Sequence, residues 1–162
     1  MNGRSLRASI NQQEVGSLQE VAGLWSFQYA ASWLNHPQAF ALSPHLPLSA
    51  EPLLDGASQR PVQWYFDNLL PEEGQRTLLA GDARLDAADA FGLLAWYGAE
   101  SAGSLTLLPP EAAPQATEPL RPLPDEPLQA RILQMPKAPL THAAIKRMSL
   151  AGAQHKLAVV LQ

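Results

Sequence analysis

One sizeable hydrophobic core is what 162 residues can bury, and a composition of 46% hydrophobic and 16% charged residues is that of a soluble globular protein. A formal net charge of -4 gives no basic footprint for direct nucleic-acid binding, and the absence of cysteine excludes disulfides and thiolate chemistry. No stretch approaches transmembrane length and no apolar run follows Arg4 and Arg7, so a cytoplasmic chain without membrane contact is the default.

Residues 6–10, 14–18 and 24–29 alternate apolar and polar side chains, interrupted by Asn11, Gln12 and Gln13 and then by Ala22 and Gly23. Period-two alternation broken in this way predicts three short antiparallel strands in a small curled sheet with one buried face. Pro37, Pro44, Pro47, Pro52 and Pro61 then remove backbone donors and forbid a continuous helix, so residues 37–61 read as ordered loop or extended chain. Pro61 suits a first helical position, and Val62, Tyr65, Phe66 and Leu69 share one face of the helix it opens. Helical spacing buries at least two of the rings of Trp64, Tyr65 and Phe66, and Trp25, Trp33 and Trp96 read as core as well. Pro71, Glu72 and Glu73 open a second helix running towards Ala80, with acidic groups at the positive end of its dipole. Asp86 is the expected N-cap of a third helix, with Asp89 at its third position, Phe91, Leu94 and Tyr97 along it and Gly98 as its stop. Residues 105–108 read as a strand returning to the sheet. Strands, then helices, then a strand predict an α+β domain over residues 1–108.

Composition changes at Pro109. Nine of the fifteen prolines lie between residues 109 and 140, so residues 109–142 read as a Pro-rich linker with one or two helical turns over 128–135. Residues 143–162 read as the start of a second unit. There Ser149, Leu150, Ala151, Gly152, Ala153, Gln154, His155 and Lys156 run into the apolar, β-prone residues 157–161. Small residues let backbone N–H groups converge on an anion, and a lysine adds a point charge at a phosphate edge. With one glycine the loop lacks the P-loop pattern, and by itself it reads first as a short surface turn before a buried strand.

Further segments give that loop a context. Val15-Gly16-Ser17-Leu18 and Trp25-Ser26-Phe27-Gln28-Tyr29 come first, then Leu42-Ser43-Pro44-His45-Leu46-Pro47-Leu48, then Asp67-Asn68-Leu69-Leu70-Pro71-Glu72. Phe91-Gly92-Leu93-Leu94, Gly98 and Gly103-Ser104-Leu105 come next, and residues 149–156 close the series. In this order the chain resembles the N-terminal part of HipA-type serine/threonine kinases, the toxins of HipBA toxin-antitoxin pairs.

The resemblance implies that residues 143–162 begin a kinase-like N-lobe. The backbone of Ala151, Gly152, Ala153 and Gln154 would cover the ATP phosphates, with His155 and Lys156 beside them. His155 stands where the family leads one to expect an acidic residue. Ser149, preceded by Arg147, matches a serine that the family autophosphorylates. A phosphoserine there would add about -1.5 to -2 charges and repel the nucleotide's phosphates. The family implies ATP and Mg2+ as cofactors of the complete kinase, a HipB-like antitoxin as partner, and an aminoacyl-tRNA synthetase, typically glutamyl-tRNA synthetase, as substrate.

Phosphoryl transfer also needs a catalytic aspartate and magnesium-binding Asn and Asp side chains. Asp55, Asp67, Asp82, Asp86, Asp89 and Asp125 sit in no such motif, so no catalytic residue or metal ligand is assigned to this chain. The expectation is the N-terminal portion of a kinase, inactive and binding no cofactor alone, whose remaining kinase core is its partner. The alternative expectation is a stand-alone antitoxin module that binds a separate kinase chain. Asp67, Glu72 and Glu73 read as a helix junction, and His36, His45 and His142 lack ligand spacing.

Overall fold

The computed structural model describes residues 3–101, 104–112 and 124–134. Three strands open the chain, β1 (Arg4–Ile10), β2 (Gln13–Val21) and β3 (Leu24–Tyr29). The turns joining them hold two residues each, and both residues have positive φ: Asn11 (49°) with Gln12 (68°), and Ala22 (52°) with Gly23 (77°). Two consecutive left-handed residues match the right-handed twist of the flanking strands, which is why tight hairpins use this turn.

Helix α1 (Ala31–Leu34) is a single turn, and strand β4 (Leu53–Leu54) follows it after a loop. Then come α2 (Pro61–Asp67), α3 (Glu73–Ala83), α4 (Ala90–Tyr97), a 3-10 turn over Gly98–Glu100 and β5 (Leu105–Leu108). The strands pair antiparallel in the order β4-β3-β2-β1-β5. The fold is therefore α+β with a small antiparallel sheet and several helices, as the alternation and periodicity predict. A further helix, α5 (Asp125–Gln134), is longer than the one or two turns expected of that stretch, because its Pro127 lies within the first turn, where a missing N–H costs nothing.

Register assigns the sheet two faces. Leu6 and Ala8 of β1 stand opposite Leu18 and Gly16 of β2, while Phe27 lies opposite Leu18 and Leu107 opposite Ala8. Leu6, Ala8, Leu18, Phe27 and Leu107 are buried and form the core with Val62, Phe66, Leu79, Phe91, Leu94 and Tyr97 from the helices. A register slip between Ala8 and Ser9 inserts an extra residue, Val15, which is also buried. The bulge adds this apolar side chain to the core without flipping the remainder of β2.

Three buried polar groups hold irregular chain against this core. The Tyr29 hydroxyl donates to the Leu46 carbonyl (2.6 Å) and accepts from the Leu42 N–H (2.9 Å), pinning the Pro-rich loop. Asp55, 7% exposed, accepts from the N–H groups of Val62 (2.8 Å) and Gln63 (3.0 Å) and so satisfies the first turn of α2. The Tyr97 hydroxyl lies 3.0 Å from the Leu79 carbonyl and 2.9 Å from an Asp82 carboxylate oxygen, joining α4 to α3.

Two local expectations are corrected, the N-cap of α4 and the burial of Trp96. The N-cap of α4 is Asp89, whose carboxylate accepts from the Gly92 N–H at 3.0 Å, while Asp86 caps only the turn before it through Ala88. Gly98 ends α4, as expected, with φ of -68°. A Cβ there would sit 2.7 Å from Leu107 Cβ, so glycine is required by close approach to β5. Trp96 (43% exposed) lies at the surface, whereas Trp25 and Trp33 are buried; of the run at 64–66, Phe66 is buried and Tyr65 partly so, meeting the expectation of at least two buried rings, and Trp64 is exposed.

Replacing Asp55 with Ala leaves two N–H groups at the start of α2 without their acceptor, at a site water reaches poorly. It should cost about 2–3 kcal/mol, and Asp55→Asn, which keeps one acceptor, should cost less. Urea unfolding of the two variants checks this, and equal midpoints would contradict the capping role.

All three tyrosines, Tyr29, Tyr65 and Tyr97, have their pKa raised above the ordinary value, with burial as the largest cause. The Asp82 carboxylate raises Tyr97 further. Above pH of about 10 the unfolded chain loses these protons while the folded chain keeps them, so stability falls as pH rises beyond that point. Tyrosinate absorbance should therefore appear together with loss of helix signal in circular dichroism, not before it.

Candidate functional site

Ser149 and residues Ala151, Gly152, Ala153, Gln154, His155 and Lys156 lie outside the described residues. So do Arg147, His142 and the strand expected at 157–161. Among the described residues no group of three or more His, Asp or Glu is placed to hold a metal ion. His36 stacks on Trp33 with ring centroids 5.9 Å apart, and the backbone N–H of His45 donates to Ser43 Oγ. Asp67 is paired with Arg76 at 2.7 Å, and Arg76 Nε also donates to the Ala87 carbonyl, which makes that junction a structural clamp.

The described residues instead build a polar groove of about 250 Å³ where the β2–β3 turn meets the starts of α2 and α4. Its construction begins with Arg4. On β1 this residue shares the core face with Leu6, beyond the end of the hydrophobic layer, opposite Glu20 of β2. Its Nε donates to Glu20 Oε2 at 2.9 Å, and Nη1 reaches both oxygens of Asp89 at 2.8 and 2.9 Å. The guanidinium carbon lies 4.9 Å from the centroid of Phe91, which itself meets Trp25 edge-on at 5.1 Å. Desolvation lowers the Arg4 pKa, but the hydrogen bonds and charges of Glu20 and Asp89 outweigh it, and the net shift is upward.

Asp89 thus caps α4 and binds Arg4 with the same carboxylate. A Cβ at residue 92 would collide with that carboxylate, so only glycine lets the cap close over the helix. Glu20 is fixed on its other oxygen by the Gly23 N–H at 2.8 Å. Opposite this network stands Arg60, the residue before α2. Its Nη1 donates to the Gly23 carbonyl (3.1 Å) and to Gln63 Oε1 (2.9 Å).

Sequence reading misses this assembly. Arg4, Glu20, Arg60 and Asp89 come from four separate elements, and charged residues scattered over 86 positions carry no local motif. The one available signal is Asp89-Ala90-Phe91-Gly92, in which an aspartate precedes by three a glycine set inside an apolar helix.

The elements around the groove, β1 to β5, coincide with a recognised unit. The family model described as HipA N-terminal domain matches residues 6–108. The chain belongs to the HipA N-terminal domain family. It is 40% identical over 141 residues to a Sinorhizobium fredii protein named "Putative kinase Y4mE", an alignment covering 83% of this chain and 33% of that protein. A chain in the structure of the Shewanella oneidensis MR-1 toxin-antitoxin system HipA, HipB and its operator DNA complex shares the fold, with a TM-score of 0.64 and 24% identity. That match covers 91% of this chain and 33% of the other. The HipA-like chain described here therefore spans about a third of the length of each of these relatives.

Asp89→Ala removes the α4 cap, worth about 1 kcal/mol, and a partly exposed ion pair worth about 0.5–1 kcal/mol. Asp89→Asn retains the capping oxygen and should lose only the second contribution. Urea midpoints for the two variants, each with and without Arg4→Ala, test the assignment. In the Arg4→Ala background Asp89→Asn should become nearly neutral.

Proposed function

We propose that this chain is the N-terminal portion of a HipA-like toxin kinase, carrying the nucleotide-covering loop but no catalytic residues. The observation that carries the reading is the extent of the likeness to the kinase-named relative. It takes in 83% of the chain, more than the 108 residues that end with β5, and so continues beyond the N-terminal domain. In this reading residues 1–108 form a docking domain, residues 109–142 are the linker and residues 143–162 begin the kinase N-lobe.

The loop's contribution follows from its composition. Ala151, Gly152, Ala153 and Gln154 would bring backbone N–H groups to the phosphates of ATP, and Lys156 would supply a positive charge beside them. Mg2+ would be held by groups of the complete kinase. Phosphorylation of Ser149 would place about -1.5 to -2 charges at the same position and exclude the nucleotide. The substrate of the complete enzyme would be an aminoacyl-tRNA synthetase, most simply glutamyl-tRNA synthetase, in the cytoplasm. The Shewanella oneidensis complex supports a HipB-like antitoxin as partner. No helix among the described residues is long and apolar enough to cross a membrane.

The test is to purify the product of the native gene and incubate it with ATP, Mg2+ and glutamyl-tRNA synthetase. Phosphate transfer to the synthetase, with a phosphate-sized mass increment on the Ser149 peptide that Ser149→Ala abolishes, is the expected result. Residues 1–162 alone should transfer none. Transfer by that chain alone, lost on substitution of Lys156, would overturn the assignment of catalysis to other residues.

A further inference from the structure

One arginine outside the groove is committed to backbone alone. Arg7 stands on β1 opposite Leu108, the last residue of β5, and between the buried Leu6 and Ala8, so its side chain lies on the face of the sheet away from the core. Its Nη1 donates to the Pro110 carbonyl at 3.2 Å and its Nη2 to the Ala112 carbonyl at 2.7 Å, across 103 and 105 positions of the chain. Among the described residues no carboxylate pairs with it. A guanidinium spent on two neutral acceptors of one short segment serves through the geometry of its fork, not through charge neutralisation.

The segment it grips cannot continue β5. Pro109 and Pro110 lack N–H groups, and the Ala112 N–H turns back to the Pro109 carbonyl at 2.9 Å, closing a β-turn over residues 109–112. That bond leaves the carbonyls of Pro110 and Ala112 to be satisfied from outside the turn, and Arg7 takes both. Strand β5 is only four residues long, and its pairing with β1 ends at Arg7 and Leu108. The guanidinium therefore reaches past the end of the ladder and ties down residues that the ladder cannot hold. We propose that Arg7 is a latch that makes the turn at 109–112 the last element of the domain, beyond the boundary that alternation and composition place at Leu108. Whatever follows Ala112 then starts from a point fixed to β1, the strand that also carries Arg4. The rival is a turn that stands by itself, because Pro110 already presets φ at its second position. The latch belongs to the domain alone and stands whether or not the chain is part of a kinase.

Nuclear magnetic resonance of the 162-residue chain separates the two. The heteronuclear NOE at the Glu111 and Ala112 amides should match that of β5 in the native protein. Arg7→Ala should lower it at those two residues and leave Leu105 and Leu107 unchanged. Hydrogen exchange of the Ala112 amide, whose N–H closes the turn, should become at least about tenfold faster in Arg7→Ala, equivalent to 1.4 kcal/mol. Arg7→Lys keeps the charge but presents a point donor in place of a fork, so it should also lower the NOE at Glu111 and Ala112. An unchanged NOE and exchange rate in Arg7→Ala would show a self-standing turn and overturn the latch. Full retention in Arg7→Lys would overturn the role of the fork. Loss of order at Leu105 and Leu107 along with the turn, in both variants, would make Arg7 a general requirement of the sheet and would equally sink the proposal.

Discussion

The Asp89 carboxylate is the point at which the first strand and the last helix of the domain are fastened together. Helix α4 needs an acceptor for its leading N–H groups, and β1 ends its core face with a cation, Arg4, that has run past the hydrophobic layer. One carboxylate satisfies both. The requirement then spreads outward. Gly92 must lack a side chain for the cap to close, Phe91 must face inward beneath the guanidinium, and Glu20 must stand opposite Arg4 on β2. The groove is a by-product of this fastening, because the network fills one of its walls and leaves Arg60 as the other.

The same economy recurs where the chain is least regular. A loop rich in proline lacks the N–H groups that would tie it to a sheet, so side chains must fix it through its carbonyls and its few remaining donors. Tyr29 does so at Leu42 and Leu46, and it reaches them because every second residue of β3, an aromatic ring each time, lies on the core face. Asp55 meets the complementary need at α2, where the helix begins with a proline and the next two residues have no acceptor within the helix. No buried side-chain nitrogen or oxygen of the described residues is left without a partner. Order in this long irregular stretch therefore rests largely on side chains reaching its backbone, Tyr29 and Asp55 together with Trp33 at the Phe40 carbonyl and Gln28 at the Ala50 carbonyl.

Legible in the sequence was whatever repeats over a few residues. Alternation at residues 6–10, 14–18 and 24–29 places three strands correctly, and the helical face of Val62 and Phe66 lies in the core as its spacing predicts. The choice of Asp89 over Asp86 as N-cap could not be read locally, since both precede the helix by a plausible interval. In the folded chain Asp89 caps α4 at Gly92 and also pairs with Arg4, 85 residues away. Trp96 illustrates a second limit, because periodicity marks a helix's apolar face but not how much of its rim the neighbouring elements cover. For the loop at 149–156 the resemblance to HipA-type kinases was the source of the reading, and the described residues neither include it nor build a substitute for it.

Arg7 fastens the domain to the chain just beyond β5. It lies one face away from Arg4 on β1, and its guanidinium donates to the carbonyls of Pro110 (3.2 Å) and Ala112 (2.7 Å). Pro109 and Pro110 have no N–H groups with which to extend the sheet and the Ala112 N–H turns back to the Pro109 carbonyl, so an arginine fork on the neighbouring strand is a natural fastening. The carbonyls of Pro110 and Ala112 are accordingly held from the side of the sheet opposite the core and the Arg4 network. Because successive side chains of a strand point to opposite faces, Arg4 and Arg7 can serve these two attachments independently.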